Sequence, residues 1–116
     1  MAQYQQGDIV AVDFPFTDIS QTKRRPALVV SNEQVNETGD YLLGQITNQK
    51  RGDALTLPLS TEDYSAYPLP LVSYIRKHEL FLLNEKLILS KITSVTPLFH
   101  KKLVEEMHLI MKRLEE

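Results

Sequence analysis

The chain has 116 residues, which is enough for one hydrophobic core and too few for two ordinary domains, so we predict a single domain over residues 1–116. Hydrophobic residues make up 42% and charged residues 24% of the chain, and these near-average totals argue against a disordered or membrane-embedded protein. The chain contains no cysteine, which removes disulfides, thiolate zinc sites and cysteine nucleophiles. The first ten residues lack a basic region followed by an apolar stretch, so we expect a cytoplasmic protein.

The charged and metal-binding residue types narrow the function further. The three histidines do not pair at a metal-ligand spacing, so we expect neither a metal site nor a cofactor. The formal net charge of -2 argues against a protein that coats nucleic acid through bulk charge. The cations nevertheless form three clusters, at residues 23–25, 50–51 and 76–78. The fold either gathers these clusters into one cationic groove or leaves them as separate solvated loop tips.

The first half of the chain predicts three strands separated by polar segments. Residues 7–14 alternate between two faces and are rich in β-branched side chains, and Pro15 ends this strand because it lacks the N–H for a ladder bond. A long polar loop is predicted over residues 15–25, and the second strand then begins with PALVVS at residues 26–31. A third strand (YLLGQIT) is predicted at residues 41–47, before the polar turn NQKRGD.

The second half predicts more short strands. Residues 54–59 form a fourth strand, and Pro58 places it at a sheet edge. Residues 71–76 alternate again, the segment ELFLL continues in the same manner, and LILSKITSV at 87–95 gives the last strand. Short, closely spaced strands with no long helix among them predict a small, strongly curved sheet or barrel.

A helix is predicted at the C-terminal end. Thr96 supplies an N-cap hydroxyl, and Pro97 suits the first helical position. Apolar residues then recur at steps of three and four, which predicts a helix with one apolar face that covers the sheet. These residues are Leu103, Met107, Ile110, Met111 and Leu114.

Three short segments stand out for their order along the chain. The first combines a glycine–aspartate pair, a strand, the segment FPFTD and then Arg25 followed by Pro26. The other two are GQIT at residues 44–47 and SYIR at residues 73–76. Together, in this order and spacing, they resemble the MazF/PemK family of toxin ribonucleases, the toxin halves of bacterial toxin–antitoxin pairs. The resemblance covers nearly the whole chain.

The resemblance implies a mainly β fold, a small SH3-like curved antiparallel sheet or barrel with a C-terminal α-helix. It implies a homodimer that cuts single-stranded RNA without a metal and is restrained by a separate MazE/PemI-like antitoxin. The antitoxin is expected to lay a disordered, acidic and apolar C-terminal segment over a cationic groove, and to fold on binding. The family's catalytic pair matches Arg25 and Thr47.

The expected reaction explains why these two residue types are suitable. Metal-free RNA cleavage can use the substrate's own 2'-hydroxyl as nucleophile, which leaves a 2',3'-cyclic phosphate and a 5'-hydroxyl. The protein must stabilise charge on the phosphorane oxygens and hold the backbone in line. The planar, permanently charged guanidinium of Arg25 suits the phosphate, and the Thr47 hydroxyl positions an oxygen. Without the resemblance, Arg25 is equally well a surface ion pair and Thr47 an ordinary β-branched strand residue.

Other residues are expected to assist. His78 and Glu79 are candidates for general acid–base catalysis, although a lone histidine or glutamate near a strand end is usually a solvated side chain. Ser73 and Arg76 either contact phosphate or fix the strand. A single strand is held by phosphate contacts, base stacking and edge hydrogen bonds. The residues expected to supply these are Phe16, which equally fits a core position, and Thr17, Asp18, Lys23, Arg24, Asn48, Gln49 and Lys50.

Some positions depart from the family's pattern. The segment DISQTKRR lacks the glycine-rich character often found there, Asn48 replaces a common serine or threonine, and Leu82 stands where many relatives have arginine or a polar residue. These departures bear on the cleavage sequence and on activity.

Two non-enzymatic alternatives stay open, a catalytically silent RNA-binding barrel and a protein-binding barrel similar to the CcdB toxins that poison DNA gyrase. The CcdB group relies on a C-terminal tryptophan, and this chain has no tryptophan.

Overall fold

The computed structural model describes the backbone of residues 2–15 and 22–115, and the side chains of residues 2–13 and 24–115. Within this part of the chain, six strands and two α-helices alternate with two short 3-10 turns, Thr61–Asp63 and Glu85–Leu87. The strands and helices are β1 (Asp8–Pro15), β2 (Thr22–Val29), α1 (Glu33–Asn36), β3 (Asp40–Thr47), β4 (Thr56–Leu59), β5 (Ser73–Asn84), β6 (Ile88–Ser94) and α2 (Pro97–Met111).

The six strands form one antiparallel sheet in the order β4-β5-β3-β2-β1-β6. This confirms the predicted mainly β fold with a C-terminal helix. Pro58 lies in the edge strand β4, as its missing N–H predicts. The chain after β4 returns to the opposite edge, where Tyr64 forms a bridge with Val95 and the amide of Ser65 donates to the Ser94 carbonyl at 2.9 Å. The two edges are thus tied together, and the sheet curves.

Three predicted boundaries were wrong. The second strand begins at Thr22 and not at residue 26, because residues 22–26 pair with β1. The charged residues at 23–25 therefore belong to a hairpin strand, where cross-strand pairing outweighs their polar character. Strand β5 begins at Ser73 and not at residue 71, and β4 begins at Thr56 and not at residue 54. The segment ELFLL continues β5 as predicted, and the short helix α1 had no sequence prediction. Phe16, Thr17 and Asp18 lie outside the described residues.

Both faces of the sheet are covered, so the core has two layers. One layer lies between the sheet and α2, and its fully buried members include Ile9, Leu28, Ile75 and Leu103. The second layer lies on the opposite face under the N-terminal segment, where the ring of Tyr4 meets the buried ring of Tyr41 edge-on with centroids 5.7 Å apart. The buried Tyr41 hydroxyl accepts hydrogen bonds from the backbone amides of Gln3 and Tyr4, both at 3.1 Å. These bonds hold the N-terminal segment against the sheet.

Helix α2 begins as its sequence predicts and is only partly buried. Thr96 Oγ1 accepts a hydrogen bond from the Phe99 amide at 3.1 Å, and Pro97 follows at the first helical position. Leu103 and Met107 are buried against the sheet, whereas Leu114 is 81% exposed, so the predicted apolar stripe is covered only along the first part of the helix. None of the helices in residues 2–15 and 22–115 is long and apolar enough to cross a membrane.

Substitution of Leu103 tests the contribution of the α2 packing to stability. Leu103 is fully buried in the first core layer, so we expect Leu103→Ala to lower the free energy of unfolding by about 2–5 kcal/mol. Leu98 lies on the same helix but is 79% exposed, and Leu98→Ala should change stability by less than about 0.5 kcal/mol. Urea denaturation measures both changes. Equal losses for the two variants would contradict the docking of α2.

Candidate functional site

A cleft of about 860 Å³ lies where the start of β2 meets the end of β3. Antiparallel pairing joins β2 to β3 from Ala27 and Gln45 onward, and residues on both strands just beyond this last pair line the cleft. The cleft has a polar wall, contributed by Arg24, Arg25, Thr47, Asn48 and Gln49.

The register of the sheet sets Arg25 and Thr47 close to each other along the strands. The paired stretch of β2 and β3 ends at Ala27 and Gln45, and Arg25 and Thr47 each lie two residues beyond that last pair. On its other side Arg25 pairs with Val12 of β1, so its backbone is held within the hairpin. Both side chains are half-buried, and both line the cleft. A ligand in the cleft can therefore contact the guanidinium and the hydroxyl together.

The Thr47 hydroxyl is oriented by the turn that follows it. Thr47 Oγ1 accepts a hydrogen bond from the backbone amide of Gln49 at 3.1 Å. This local side-chain-to-backbone bond is the kind that stabilises turns, and it leaves the hydroxyl hydrogen as a donor. Thr47 can thus donate to an anionic oxygen in the cleft while its own oxygen stays anchored.

The opposite wall of the cleft is apolar. It is formed by Leu69, Pro70 and Leu71, which precede β5. The buried Ser73 hydroxyl donates to the Leu71 carbonyl at 2.8 Å and fixes the turn into β5. No element was predicted for Leu69 and Pro70, Leu71 was predicted to start a strand, and the wall was not predicted. The signal was an apolar run, YPLPLV, with two prolines that limit its backbone freedom, in a connection where polar residues are usual.

The comparisons with known proteins bear on this cleft. Residues 5–111 match a family described as the PemK-like, MazF-like toxins of type II toxin–antitoxin systems. The chain belongs to this toxin family. The predicted resemblance is thereby confirmed. A comparison with curated proteins found no match.

Solved structures share the toxin's fold at low sequence identity. An endoribonuclease in complex with its cognate antitoxin from a mycobacterial species is 19% identical, with a TM-score of 0.75 over 96% of this chain and 99% of that chain. The MazE–MazF structure (Form-III) from Deinococcus radiodurans is 16% identical, with a TM-score of 0.74 over 93% of this chain and 95% of that chain. The Mycobacterium tuberculosis toxin MazF-mt6 is 17% identical, with a TM-score of 0.69 over 88% and 93%. At these identities the likeness shows the fold.

The structure gathers some of the toxin's predicted site residues and separates others. Those that line the cleft are Arg24, Arg25, Thr47, Asn48, Gln49 and Ser73. Lys50, Arg76, His78 and Glu79 are not among the cleft-lining residues. The side chain of Lys23 lies outside the described part of the chain. Within that part, no group of three or more His, Asp or Glu side chains is placed to hold a metal ion.

Arg76 lies in a network of polar side chains on β5 and on the connection to β4. Its side chain is only 10% exposed, and its NH1 group donates to Thr56 Oγ1 at 2.7 Å and to Asp53 Oδ2 at 3.3 Å. Its Nε lies 3.6 Å from Glu79 Oε1, and its NH2 lies 3.4 Å from His78 Nε2. This geometry favours the strand-fixing alternative for Arg76 over direct phosphate contact.

Asp53 is the carboxylate that this network depends on. Desolvation alone would raise the pKa of Asp53, but hydrogen bonds from Thr56, from the Leu55 amide and from Arg76 outweigh it and hold the pKa below the ordinary 3.8. A carboxyl group with a lowered pKa in the folded state stabilises the fold above its ordinary pKa, and this stabilisation is lost as pH falls through the folded-state value. The network is therefore fully formed at neutral pH.

Titration of Asp53 tests the network. We expect the side-chain carboxyl carbon of Asp53, followed by NMR, to titrate below 3.8. Thr56→Val keeps the side-chain shape but removes the hydroxyl that donates to Asp53 Oδ1 at 3.0 Å, so it should raise the pKa of Asp53 toward 3.8. Thr56→Ser retains the hydroxyl and is the matched control. An Asp53 pKa at or above 3.8 in the wild-type protein would contradict the network.

Proposed function

We propose that the protein is a metal-independent endoribonuclease toxin that cuts single-stranded RNA and is inhibited by a cognate antitoxin. The observation that carries this proposal is the cleft shared by Arg25 and Thr47, two strand residues from adjacent strand ends. Membership of the toxin family supports it, as do the solved endoribonucleases that share the fold.

The polar wall has the groups needed to bind a scissile phosphodiester. The guanidinium of Arg25 presents several N–H donors in a rigid plane and carries a permanent charge, so it binds and neutralises phosphate oxygens. The anchored Thr47 hydroxyl donates a second hydrogen bond. Donors that are held in place before the reaction stabilise charge at the transition state without reorganisation, which is the main contribution the protein makes here.

The proposed reaction is a transesterification within the RNA. The 2'-oxygen attacks phosphorus as its proton leaves, the bond from phosphorus to the 5'-oxygen breaks, and the departing 5'-oxygen takes up a proton. The products are a 2',3'-cyclic phosphate and a 5'-hydroxyl. His78 and Glu79, the sequence candidates for proton transfer, lie in the Arg76 network and outside the cleft lining, so the proposed mechanism assigns them no step.

The two walls of the cleft match the two chemical faces of a single strand. Arg24 and Arg25, which line the cleft, are proposed to bind phosphates, and the side-chain amides of Asn48 and Gln49 to hydrogen-bond base edges. Leu69 and its neighbours give an apolar surface for a base that has left its stack. Base selection is thus proposed to depend on Asn48, Gln49 and this apolar wall.

We also propose two protein partners. A separate antitoxin would cover the cleft with an acidic and apolar C-terminal segment, which complements the cationic and apolar walls and folds on binding. A second copy of the chain would form a homodimer, since a small domain gains buried surface by pairing. The exposed apolar residues Met111 and Leu114 near the end of the chain support this pairing.

RNA cleavage in EDTA tests the enzymatic proposal. The purified wild-type toxin should cut a long single-stranded RNA and leave cyclic phosphate ends. Arg25→Ala and Thr47→Val should each lower the rate about 100-fold to 1000-fold, the usual effect of removing one preorganised donor. Gel analysis with mapping of the RNA ends measures rate and end chemistry together.

A matched control separates this effect from a general loss of positive charge. Lys102 is exposed on α2, so Lys102→Ala also removes one positive charge and should leave the rate nearly unchanged. Wild-type protein that binds RNA without cutting it would favour a silent RNA-binding barrel. Equal cleavage by wild-type and Arg25→Ala would reject the proposed role of the cleft.

A further inference from the structure

We propose that Arg76, Asp53 and Thr56 form a latch that positions the β3–β4 connection, residues 48–55, for RNA binding. This inference rests on the proposed function, because the connection contributes Asn48 and Gln49 to the cleft. Arg76 is then a positioning residue. It acts on RNA through the connection, and its own side chain is committed to protein contacts.

The latch joins the end of the connection to the sheet. Asp53 Oδ1 accepts hydrogen bonds from the Leu55 amide at 3.1 Å and from Thr56 Oγ1 at 3.0 Å, which closes a tight turn into β4. Asp53 Oδ2 and Thr56 Oγ1 both accept from Arg76 NH1. Each member therefore contacts the other two, and a change in any one of them loosens the turn.

The beginning of the connection is fixed separately, by the bond from the Gln49 amide to Thr47 Oγ1 at 3.1 Å. Between the two fixed ends lie the exposed residues 50–52, and Gly52 has open space around it. Within the segment Arg51 NH2 donates to Gln49 Oε1 at 3.4 Å, and beyond the latch the Leu55 carbonyl accepts from the Lys77 amide at 2.8 Å. The position of residues 50–52 therefore depends on the attachments at both ends of the segment. Release of the latch should therefore shift Gln49, although no latch residue contacts Gln49 directly.

Arginine is well suited to this position for a geometric reason. Its guanidinium reaches Thr56 and Asp53 with one nitrogen, while Nε and NH2 lie beside Glu79 and His78. Lysine has a single ammonium group and no planar set of donors, so it cannot contact Thr56 and Asp53 together with Glu79 and His78. The protein also buries Arg76 almost fully, and a buried cation is stable only when it is paired.

The neighbouring ion pair on β5 supplies a matched control. Lys77 Nζ contacts Glu106 Oε1 at 2.9 Å, and both side chains are mostly buried. This pair joins β5 to α2, and no side chain of residues 48–55 takes part in it. Glu106→Gln thus removes an ion pair of similar burial from the same strand without touching the latch.

The experiment compares Asp53→Ala, Thr56→Val, Thr56→Ser and Glu106→Gln with the wild-type chain. Hydrogen exchange of the Gln49 amide, followed by NMR, reports whether the connection keeps its position in the absence of RNA. This amide donates to Thr47 Oγ1, and Thr47 is unchanged in every variant, so a change in exchange reflects the connection. Steady-state cleavage of an oligonucleotide that contains a mapped cleavage site gives KM and kcat. The dissociation constant for the same strand with 2'-deoxyribose throughout, which lacks the attacking hydroxyl, gives binding alone.

The latch predicts a specific pattern. Asp53→Ala and Thr56→Val should speed exchange at Gln49 and raise both KM and the dissociation constant about tenfold, with kcat within about twofold, as expected when uniform binding is lost. Thr56→Ser should restore wild-type values. Glu106→Gln should lower stability while leaving exchange at Gln49 and KM unchanged.

Each other outcome counts against the inference. Unchanged exchange at Gln49 in Asp53→Ala would show that the latch does not hold the connection. Faster exchange with unchanged KM and affinity would show that the connection does not position RNA. A wild-type chain that neither binds nor cuts RNA would refute the proposed function and the RNA role of the latch, while the exchange data would still show whether the latch holds the connection.

Discussion

Strand β2 pairs with β1 on one side and with β3 on the other, and these two registers determine where Arg25 and Thr47 lie. The pairing with β1 converts a cationic, polar segment into a strand, so Arg25 projects from a fixed backbone. The pairing with β3 ends at Ala27 and Gln45, two residues before Arg25 and two before Thr47, and both of these residues line the cleft. A shift of one residue in the register would move Arg25 to the opposite face of the sheet. The same shift would expose the buried side chains of both core layers, so core packing disfavours it. The core packing therefore also keeps Arg25 in the cleft.

The fold also decides which cations line the cleft. Arg24 and Arg25 line the cleft, and Lys50 follows the cleft residue Gln49 and is exposed. The basic cluster at residues 76–78 contributes little positive charge to the cleft, because Arg76 is paired with Asp53 and Lys77 with Glu106. A chain with a net charge of -2 therefore presents a local cationic wall, and it does so by neutralising one basic cluster internally.

The sequence predicted most strands, the edge position of Pro58 and the start of α2 at Thr96, because these features follow from local rules of periodicity, proline chemistry and capping. It did not predict the start of β2 at Thr22, since the segment is charged and only its partner strand makes it extended. The family resemblance singled out Arg25 and Thr47, and the structure places both on one cleft. The apolar wall and the contact between Asp53 and Arg76 depend on residues distant in sequence, which no local pattern reports.

The most direct test of the account is a crystal structure of the toxin with a single-stranded RNA that carries 2'-deoxyribose at the scissile position. The account predicts one phosphodiester in the cleft, with its oxygens within hydrogen-bond distance of both the Arg25 guanidinium and the Thr47 hydroxyl. A strand bound elsewhere on the surface, or a cleft phosphate that contacts neither residue, would contradict it.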